Sequence, residues 1–439
     1  MSAAPINNSS TVPVRRKSGT QSPQRRAPET TANFGLLTSP DKEPAGVSVI
    51  ACEREVQFGD FRYPFHVRSG EQSWAEFASR MVELDADRFI VITDDGVPSA
   101  IVQAVESCLA GVGQTGVFTA PNTEKAKNIE TLDRLAEQVI GSGVTRNSVV
   151  VALGGGLAGN VAGLLAALIF RGIRLVHLPT TLLGMSDSVL SLKQAVNSRI
   201  GKNHLGTFHA PVLVWNHLDF LATLPPEETQ AALCEMIKNV LGICPDRYDE
   251  IAAKLRPDAA YTSETIAEFI DLCVTAKATV MRHDHREKRE ALVLEYGHTV
   301  GHAAELLTGG ALRHGHAIGV GMLVAARVSR LLGFLDAADE MAHRVLLERN
   351  GAPVELPSQL TVDEIIAAVR RDNKRGYVPS RPGMADMVIL EGLGRPHWVG
   401  DNIITQVDED ILRCAIGSYL PGSKPQIATG AALPKVQAS

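Results

Sequence analysis

The stretch Ser148-Val-Val-Val-Ala-Leu-Gly-Gly-Gly-Leu-Ala-Gly159 decides the fold class of the first half of this chain. A continuous apolar run is typical of a strand that is buried on both faces of a sheet. Residues 148–170 carry no charge and are long enough to cross a bilayer. Because three consecutive glycines divide this segment, a buried strand, a tight turn and a buried helix fit it better than a membrane span.

The segments on either side of this stretch repeat the pattern. Strands are predicted at residues 88–93, 116–119 and 173–178, with amphipathic stretches between them. Strands that alternate with helices are typical of a parallel α/β sheet. The prediction is therefore a Rossmann-like parallel-sheet α/β domain over residues 46–224.

The character of the sequence changes after Pro225-Pro226. Helical patterns dominate residues 227–369, which predicts a mainly helical domain over residues 225–420. Residues 1–45 are rich in Ser, Pro, Thr and Arg without apolar periodicity, so we expect a disordered tail there. Residues 421–439 are rich in Gly, Pro and Ala and are expected to be a loose tail.

Composition excludes several classes of protein. The chain has 439 residues, a net charge of −6, 45% hydrophobic residues and 21% charged residues. These values exclude disorder along the whole chain, and they disfavour a partner such as a nucleic acid or a membrane surface, which requires a basic footprint. The six cysteines form no Cys-x-x-Cys pair, and no apolar stretch follows the basic residues of the N-terminus. We therefore expect a cytoplasmic protein with reduced thiols.

The glycine turn matches Gly-x-Gly-x-x-Gly between a strand and a helix, an arrangement that suits a pyrophosphate at a helix N-terminus. It departs from the usual dinucleotide fingerprint, since it is not in the first strand–helix unit and residues 170–183 contain no acid. A ribose-binding acid could come from another strand end. Taken singly, each candidate is also compatible with a helix cap or a turn. The candidates are Asp94, Glu124, Lys127, Thr180 and Thr181.

The second half contains the stronger chemical signal. Six of the thirteen histidines lie between positions 283 and 316. Upstream, Glu235 and Lys238 are three residues apart on a helical face that is expected to be buried. Two histidines and one glutamate form a catalytic type of zinc set, but spacing does not decide whether His298 pairs with His302 or with His314. Helix caps or satisfied core histidines are the alternative.

A third polar cluster follows the strand at 173–178, in a segment expected to be loop-like. Lysine and asparagine side chains near a metal suit a phosphorylated, polyhydroxylated substrate, and a solvated loop is the alternative. The cluster contains Asp187, Lys193, Asn197, Lys202 and Asn203.

Together these motifs resemble the sugar phosphate cyclases, the family of 3-dehydroquinate synthase, over roughly residues 50–415. The resemblance implies an NAD-binding α/β domain, a helical metal-binding domain and a homodimer. The matching motifs, in the family's order, are Gly-Gly-Gly-x-x-Gly, Pro179-Thr-Thr, Lys193…Asn197, Gly201-Lys-Asn, Glu235-x-x-Lys238, Gly297-His-Thr-x-Gly-His302 and His314-Gly.

Carried over by motif, each group of residues acquires an implied role. The implied metal ligands are Glu235, His298 and His314, and the implied catalytic residues are Lys193, Glu295 and His302. The implied substrate contacts are Arg171, Asp187, Asn203, Lys238, Lys277 and Lys374. The implied NAD contacts are Asp94, Glu124, Lys127, Gly155, Gly156, Thr180, Thr181 and Thr223.

Two departures from the dehydroquinate synthase pattern concern the substrate. Those enzymes carry Arg and Asn at the positions that are Ala291 and Glu295 here. A guanidinium binds a carboxylate bidentately, which alanine cannot do, and Glu295 would repel an anion. We therefore expect a substrate without a carboxylate. Asn160 also replaces the family's aspartate. The motifs Leu-Glu-Tyr-Gly-His-Thr-Val-Gly-His, Ser-x-Lys-Gln-Ala-Val-Asn and Asp-Asn-Lys-Arg-Gly-Tyr resemble the branch that forms 2-deoxy-scyllo-inosose from D-glucose 6-phosphate in aminoglycoside antibiotic biosynthesis.

That resemblance implies a carbon–oxygen lyase that uses NAD and zinc or cobalt. A hydride leaves C4 of the sugar phosphate, phosphate leaves C6, the hydride returns, and an aldol step closes the carbocycle, so NAD is regenerated. Four alternatives remain open from the sequence: a 3-dehydroquinate synthase, a 2-epi-5-epi-valiolone synthase, a metal-dependent polyol dehydrogenase, and a non-catalytic binding protein.

Overall fold

The computed structural model describes residues 50–371, 377–379 and 381–422. The predicted N-terminal tail, Lys374 and nearly all of the predicted C-terminal tail lie outside the described residues. None of the described helices is both long enough and apolar enough to cross a membrane.

A seven-stranded sheet organises the first half. Its strand order is β1-β2-β9-β6-β5-β3-β4, and every neighbouring pair is parallel except β1 and β2. The strands β3, β4, β5 and β6 confirm the four strands predicted from the sequence. The sheet strands are β1 (Ile50–Phe58), β2 (Phe61–Arg68), β3 (Arg88–Asp94), β4 (Gln114–Ala120), β5 (Val149–Gly154), β6 (Arg174–Pro179) and β9 (Leu213–His217).

Helices cover this sheet as a parallel sheet requires. Strand β5 is buried at all six positions, and the helix that follows it, α4, is largely buried as well. The stretch 148–170 is therefore a strand, a turn and a helix, as expected. The helices of this half are α1 (Ser73–Glu83), α2 (Ser99–Ala110), α3 (Ile129–Gly141) and α4 (Gly156–Leu168).

The polar segment expected to be loop-like is ordered, so that prediction was wrong. It forms a short helical turn, Gly184–Ser188, followed by an antiparallel hairpin of β7 (Lys193–Ser198) and β8 (Gly201–Phe208). Strand β8 is exposed along nearly its whole length, so it lacks the alternating apolar pattern that identifies a half-buried strand. Cross-strand hydrogen bonds define it instead.

The second half is mainly helical, as predicted. Its first helix begins with proline and has two glutamates in the first turn, where the missing amide donor does no harm and negative charge suits the helix dipole. Its helices are α5 (Pro226–Gly242), α6 (Tyr248–Lys254), α7 (Ser263–Met281), α8 (His298–Leu307), α9 (His314–Leu331), α10 (Ala337–Arg349), α11 (Val362–Val369) and α12 (Glu409–Gly417).

Four short strands that the sequence did not predict lie between the last two helices. They form two small antiparallel pairs, β10 with β13 and β11 with β12. Their bounds are β10 (Met384–Val388), β11 (Leu390–Gly392), β12 (Arg395–Pro396) and β13 (Ile404–Asp408).

One hydrophobic core joins the sheet to the helices. Met185 and Val189, which follow β6, belong to the same buried cluster as Leu233 and Met236 of α5. This packing brings the polar face of α5 against the segment after β6. The carboxyl edge of the sheet and the helical half therefore share one polar region.

Candidate active site

The glycine turn lies at the carboxyl edge of the sheet, where ligands bind in open α/β folds. Gly154 adopts φ +149°, and a Cβ there would lie 2.6 Å from the Ala158 Cβ. A Cβ on Gly155 would lie 3.2 Å from Thr181 Cγ2. Side chains at these positions would fill the space in front of the N-terminus of α4. The turn is thus a cradle that suits a pyrophosphate.

The strand ends predicted to converge on this turn do so. The Thr180 amide donates to the Gly154 carbonyl over 3.0 Å, and Asp94 Oδ2 lies 3.1 Å from the position of a Gly154 Cβ. Asp94 accepts from the Gly96 amide over 3.0 Å, while burial raises the pKa of its carboxyl group. A nearly buried carboxylate beside the cradle fits the ribose hydroxyls of a dinucleotide.

Glu124 and Lys127 face the β7–β8 hairpin next to this edge. Glu124 Oε1 accepts from Asn197 Nδ2 over 2.7 Å, and Lys127 Nζ donates to Asn203 Oδ1 over 2.6 Å. Burial lowers the pKa of Lys127. Asn203 has φ +55°, a left-handed conformation that asparagine tolerates better than most residues. The hairpin therefore lies between the candidate nucleotide residues and the helical half.

Glu235 and three histidines form the candidate metal centre. One ring nitrogen from each of His298, His302 and His314 lies within 4.8 Å of the others. Glu235 Oε1 is 3.7 Å from His298 Nε2 and 3.3 Å from His314 Nε2. That oxygen is buried and accepts no hydrogen bond from the described residues. A divalent cation would satisfy it, so these residues fit a metal ion.

Hydrogen bonds orient two of the rings toward Glu235. His298 Nδ1 is 3.1 Å from the Tyr296 carbonyl oxygen, and His314 Nδ1 is 3.0 Å from Glu305 Oε2. A ring that donates from Nδ1 presents its Nε2 lone pair to a metal. This arrangement supports His298 and His314 as ligands. His302 is also close enough, so its assignment to proton handling stays a prediction.

Burial and neighbouring charges set the protonation state of each of these groups. Burial, together with the charge of Lys238, lowers the pKa of His298 to about 3, which keeps that ring neutral. Burial alone would lower the pKa of His314, but the carboxylates of Glu235 and Glu305 raise it to about 10, so a metal ion that binds Nε2 must displace a proton from this ring. Burial would likewise raise the pKa of Glu235, but Lys238 and the histidines hold it well below its ordinary range.

Three lysines surround this centre, each beside a carboxylate. Lys238 pairs with Glu235 one turn away on α5. Lys277 of α7 lies 2.8 Å from Asp187 Oδ1 and 2.8 Å from its carbonyl oxygen. Burial alone would raise the pKa of Asp187, but Lys277 lowers it. Cations grouped in this way suit a phosphate.

Lys193, the third lysine, pairs with Glu287, which the sequence did not indicate. Burial alone would lower the pKa of Lys193, but the charges of Glu287 and Glu295 raise it. Glu295 also raises the pKa values of Lys238 and His298, which places its carboxylate within electrostatic range of the metal centre. The predicted role of Glu295 in proton transfer is consistent with this position and stays a prediction.

Two of the predicted site residues, Arg171 and Thr223, lie away from the candidate active site in this single chain. Arg171 lies beyond the C-terminus of α4, next to the start of β6, whereas the cradle is at the N-terminus of α4 and the end of β5. Thr223 is exposed, and its hydroxyl donates to the Phe220 carbonyl. Their roles stay predictions.

Sequence reasoning missed Glu287 and Glu305. Glu305 follows His298 by seven positions and His302 by three, so helical spacing places all three on one face. That signal was present in the sequence. Glu287 lies in an irregular loop, where no periodicity indicates which way a side chain points.

Comparison with known proteins agrees with this geometry. Residues 117–231 match the N-terminal part of 3-dehydroquinate synthase and residues 232–375 match its C-terminal part, so together they span more than half of the chain. A protein named 2-deoxy-scyllo-inosose synthase from Streptoalloteichus tenebrarius is 46% identical over 342 residues, which are 78% of this chain and 88% of that protein.

Solved structures give the same picture. A 2-deoxy-scyllo-inosose synthase complexed with carbaglucose-6-phosphate, NAD⁺ and Co²⁺ is 35% identical and matches with a TM-score of 0.80, over 84% of this chain and 100% of that one. A 2-epi-5-epi-valiolone synthase from Streptomyces hygroscopicus subsp. jinggangensis, with NAD⁺ and Zn²⁺ bound, is 24% identical with a TM-score of 0.67, over 80% of this chain and 95% of that one. The second likeness supports the fold alone.

Proposed function

This chain belongs to the 3-dehydroquinate synthase family, and on that premise we propose that it converts D-glucose 6-phosphate to 2-deoxy-scyllo-inosose with release of phosphate. The observation that carries the proposal is the lysine-lined metal centre with Glu295 beside it and alanine at position 291. This site offers cations to a phosphate and adds a negative charge where a substrate carboxylate would be repelled. The 46% identity to the synthase of Streptoalloteichus tenebrarius supports the same substrate.

NAD and a divalent metal ion complete the site in this proposal. NAD⁺ held at the glycine turn beside Asp94 would supply reversible hydride transfer and so act as a cofactor. A metal ion held by Glu235, His298 and His314 would supply Lewis-acid chemistry toward substrate hydroxyls. The donor set suits zinc or cobalt.

The chain's own residues divide the remaining work. Lys193, Lys238 and Lys277 hold the phosphate and neutralise it as it leaves C6. The Asp187 carboxylate orients substrate hydroxyls beside the metal centre. Glu295 and His302 move the protons that ring opening and the aldol step require, because a carboxylate and an imidazole near a metal and lysines are suited to proton transfer.

We further propose that residues 46–224 bind NAD and that residues 225–420 bind metal and substrate. The resemblance to the family supports a homodimer, and the six scattered cysteines support a cytoplasmic location. The relatives' name supports a place in aminoglycoside antibiotic biosynthesis.

A substrate panel tests the function. Purified protein with a divalent metal and a catalytic amount of NAD⁺ is offered glucose 6-phosphate, sedoheptulose 7-phosphate or the seven-carbon acid phosphate of the shikimate pathway. Phosphate release and absorbance at the NADH band are followed together. We expect phosphate from glucose 6-phosphate without net NADH, and a carbocycle of the expected mass.

Each other outcome contradicts the proposal in its own way. Release from the acid phosphate alone would show that Ala291 and Glu295 do not select against a carboxylate. Release from the heptulose phosphate alone would indicate a valiolone-type cyclase. Net formation of NADH without phosphate release would indicate a polyol dehydrogenase instead of a cyclase.

A further inference from the structure

Glu305 connects a metal-binding histidine to the nucleotide side of the molecule. Its Oε2 atom accepts from His314 Nδ1 over 3.0 Å, and its Oε1 atom accepts from Lys202 Nζ over 2.8 Å. The Glu305 side chain is 12% exposed. Both carboxylate oxygens are therefore engaged, one by each half of the structure.

The contacts continue beyond Lys202 to the candidate NAD residues. Lys202 lies on β8, and its Nζ atom is also 4.0 Å from Glu124 Oε1. Glu124 accepts from Asn197 on the facing strand, β7. The Asn203 amide donates to Asn197 Oδ1 over 2.8 Å, while the Asn203 side chain accepts from Lys127. Polar contacts thus run from Glu124 and Lys127 through the hairpin to His314, and the link between Glu124 and Lys202 is a 4.0 Å ion pair, longer than a hydrogen bond.

We infer that Glu305 is a positioning residue: it fixes the ring of His314 for metal binding and couples the affinity for the metal to the binding of NAD. The inference rests on the proposed function only in taking Glu235, His298 and His314 as the metal ligands and Glu124 and Lys127 as nucleotide contacts.

The first part follows from the tautomer of His314. A carboxylate that accepts from Nδ1 keeps the proton there, leaves Nε2 as the electron-pair donor and makes that nitrogen more basic. Outer carboxylates of this kind typically contribute 10–100-fold to metal affinity.

The second part follows from Lys202. A glutamate side chain has several rotamers, and ordering it has an entropy cost. The Lys202 ammonium holds Glu305 in the rotamer that reaches His314 only while the hairpin is in place. A nucleotide that contacts Glu124 and Lys127 orders that hairpin and so favours the metal-binding arrangement. Such coupling is reciprocal between the two ligands.

The experiment measures metal binding, so it needs no turnover. Metal-free protein is titrated with Co²⁺ against a competing chelator, with and without saturating NAD⁺, and the visible absorption of bound Co²⁺ is recorded. The variants are Glu305→Ala, Glu305→Gln and Lys202→Met. The control is Glu348→Gln, which removes a carboxylate from the exposed Arg344–Glu348 pair on α10.

We expect Glu305→Ala to weaken Co²⁺ binding by 10–100-fold and to change the visible spectrum. Glu305→Gln keeps an oxygen that can accept from His314 Nδ1, so it should lose less affinity and keep the spectrum. In the wild type, NAD⁺ should tighten Co²⁺ binding at least threefold, and Lys202→Met should remove that effect. Glu348→Gln should match the wild type throughout.

Wild-type affinity and an unchanged spectrum in Glu305→Ala would overturn the positioning role, and so would a wild-type protein that binds no Co²⁺. Equal Co²⁺ affinity with and without NAD⁺ in the wild type would overturn the coupling. NAD⁺ affinity measured without metal shows whether Glu305→Ala is folded, and Glu305→Gln supplies the comparison if it is not. These measurements of Co²⁺ and NAD⁺ binding do not depend on turnover. A protein that does not act on glucose 6-phosphate would therefore contradict the proposed function, and the binding experiment would still test the role of Glu305.

Discussion

Gly315 allows two metal-ligand helices to meet, so Gly315→Ala should damage the metal centre. A Cβ on Gly315 would lie 1.8 Å from the carbonyl oxygen of Ala231, and real Cβ contacts essentially never fall below 3.0 Å. Ala231 is one turn before Glu235 on α5, and Gly315 follows His314 at the start of α9. The obstructing atom belongs to the backbone, so it cannot move aside as a side chain would.

The size of the displacement sets the expected effect. The two helices must separate locally by about 1.2 Å to raise that contact from 1.8 to 3.0 Å. Metal–ligand distances tolerate only about ±0.2 Å. A misplacement of about 1 Å at a reacting centre can cost roughly 100-fold in rate. We therefore expect both metal affinity and kcat/KM to fall by about 100-fold or more, and overpacking to reduce stability by about 1–3 kcal/mol.

The assay compares Zn²⁺ affinity of the metal-free protein, phosphate release and thermal unfolding. Gly141→Ala is the matched control, because Gly141 is exposed at the end of α3 and a Cβ there meets no atom within 4 Å. That variant should bind metal and turn over like the wild type. Wild-type Zn²⁺ affinity and turnover in Gly315→Ala would refute the argument that this contact sets the ligand geometry.

Three further predictions concern single side chains. Glu295→Gln should lower kcat by 100-fold or more while the Kd for NAD⁺ is unchanged, because it removes a proton-transfer group without touching the cradle; steady-state rates and NAD⁺ titration check this. Lys277→Met should raise KM for glucose 6-phosphate by about 10–100-fold, since a charged hydrogen bond contributes about 1.5–3 kcal/mol; full turnover at ordinary KM would count against a phosphate contact. Burial lowers the pKa values of His177, His217 and His343 to about 4, below the ordinary 6.5. Because the folded state holds these rings neutral, their contribution to the free energy of unfolding is fully present above pH 6.5. It is lost as the pH falls toward 4, by on the order of 3 kcal/mol per histidine. Denaturant titrations at pH 7, 6 and 5 measure this loss, and His343→Gln should make it smaller.

The sequence was sufficient for four of the seven sheet strands, β3, β4, β5 and β6, but it did not predict β1, β2 or β9. Strands β3, β5 and β6 are buried along nearly their whole length, and that burial determines their composition. The hairpin β7–β8 was misread for the opposite reason. Its second strand faces solvent at nearly every position, so its polar and apolar residues do not alternate, and nothing in their period distinguishes them from a loop.

The candidate site was predictable in its residue types but not in its contacts. Spacing left His302 and His314 as equal partners for His298. The structure brings both rings close to His298, and it adds a hydrogen bond between His314 and Glu305, which belong to two different helices. A second example is Glu287, which reaches Lys193 across 94 positions of sequence. No local pattern can encode contacts of this kind, because they depend on how distant elements pack.

Charge balance explains why this arrangement suits a metal and a phosphate together. Each of the three lysines already lies near a carboxylate, and Glu295 adds another negative charge, so these lysines and carboxylates carry three positive and four negative charges. The proton on His314 offsets one negative charge until a metal ion displaces it. A phosphate group that replaced solvent here would leave the site strongly negative unless a cation entered with it. A divalent ion at Glu235 removes most of that excess, and it frees the Lys238 ammonium, which now pairs with that carboxylate, to face the phosphate. The groups that make up this balance are Lys193, Lys238, Lys277, Asp187, Glu235, Glu287 and Glu295.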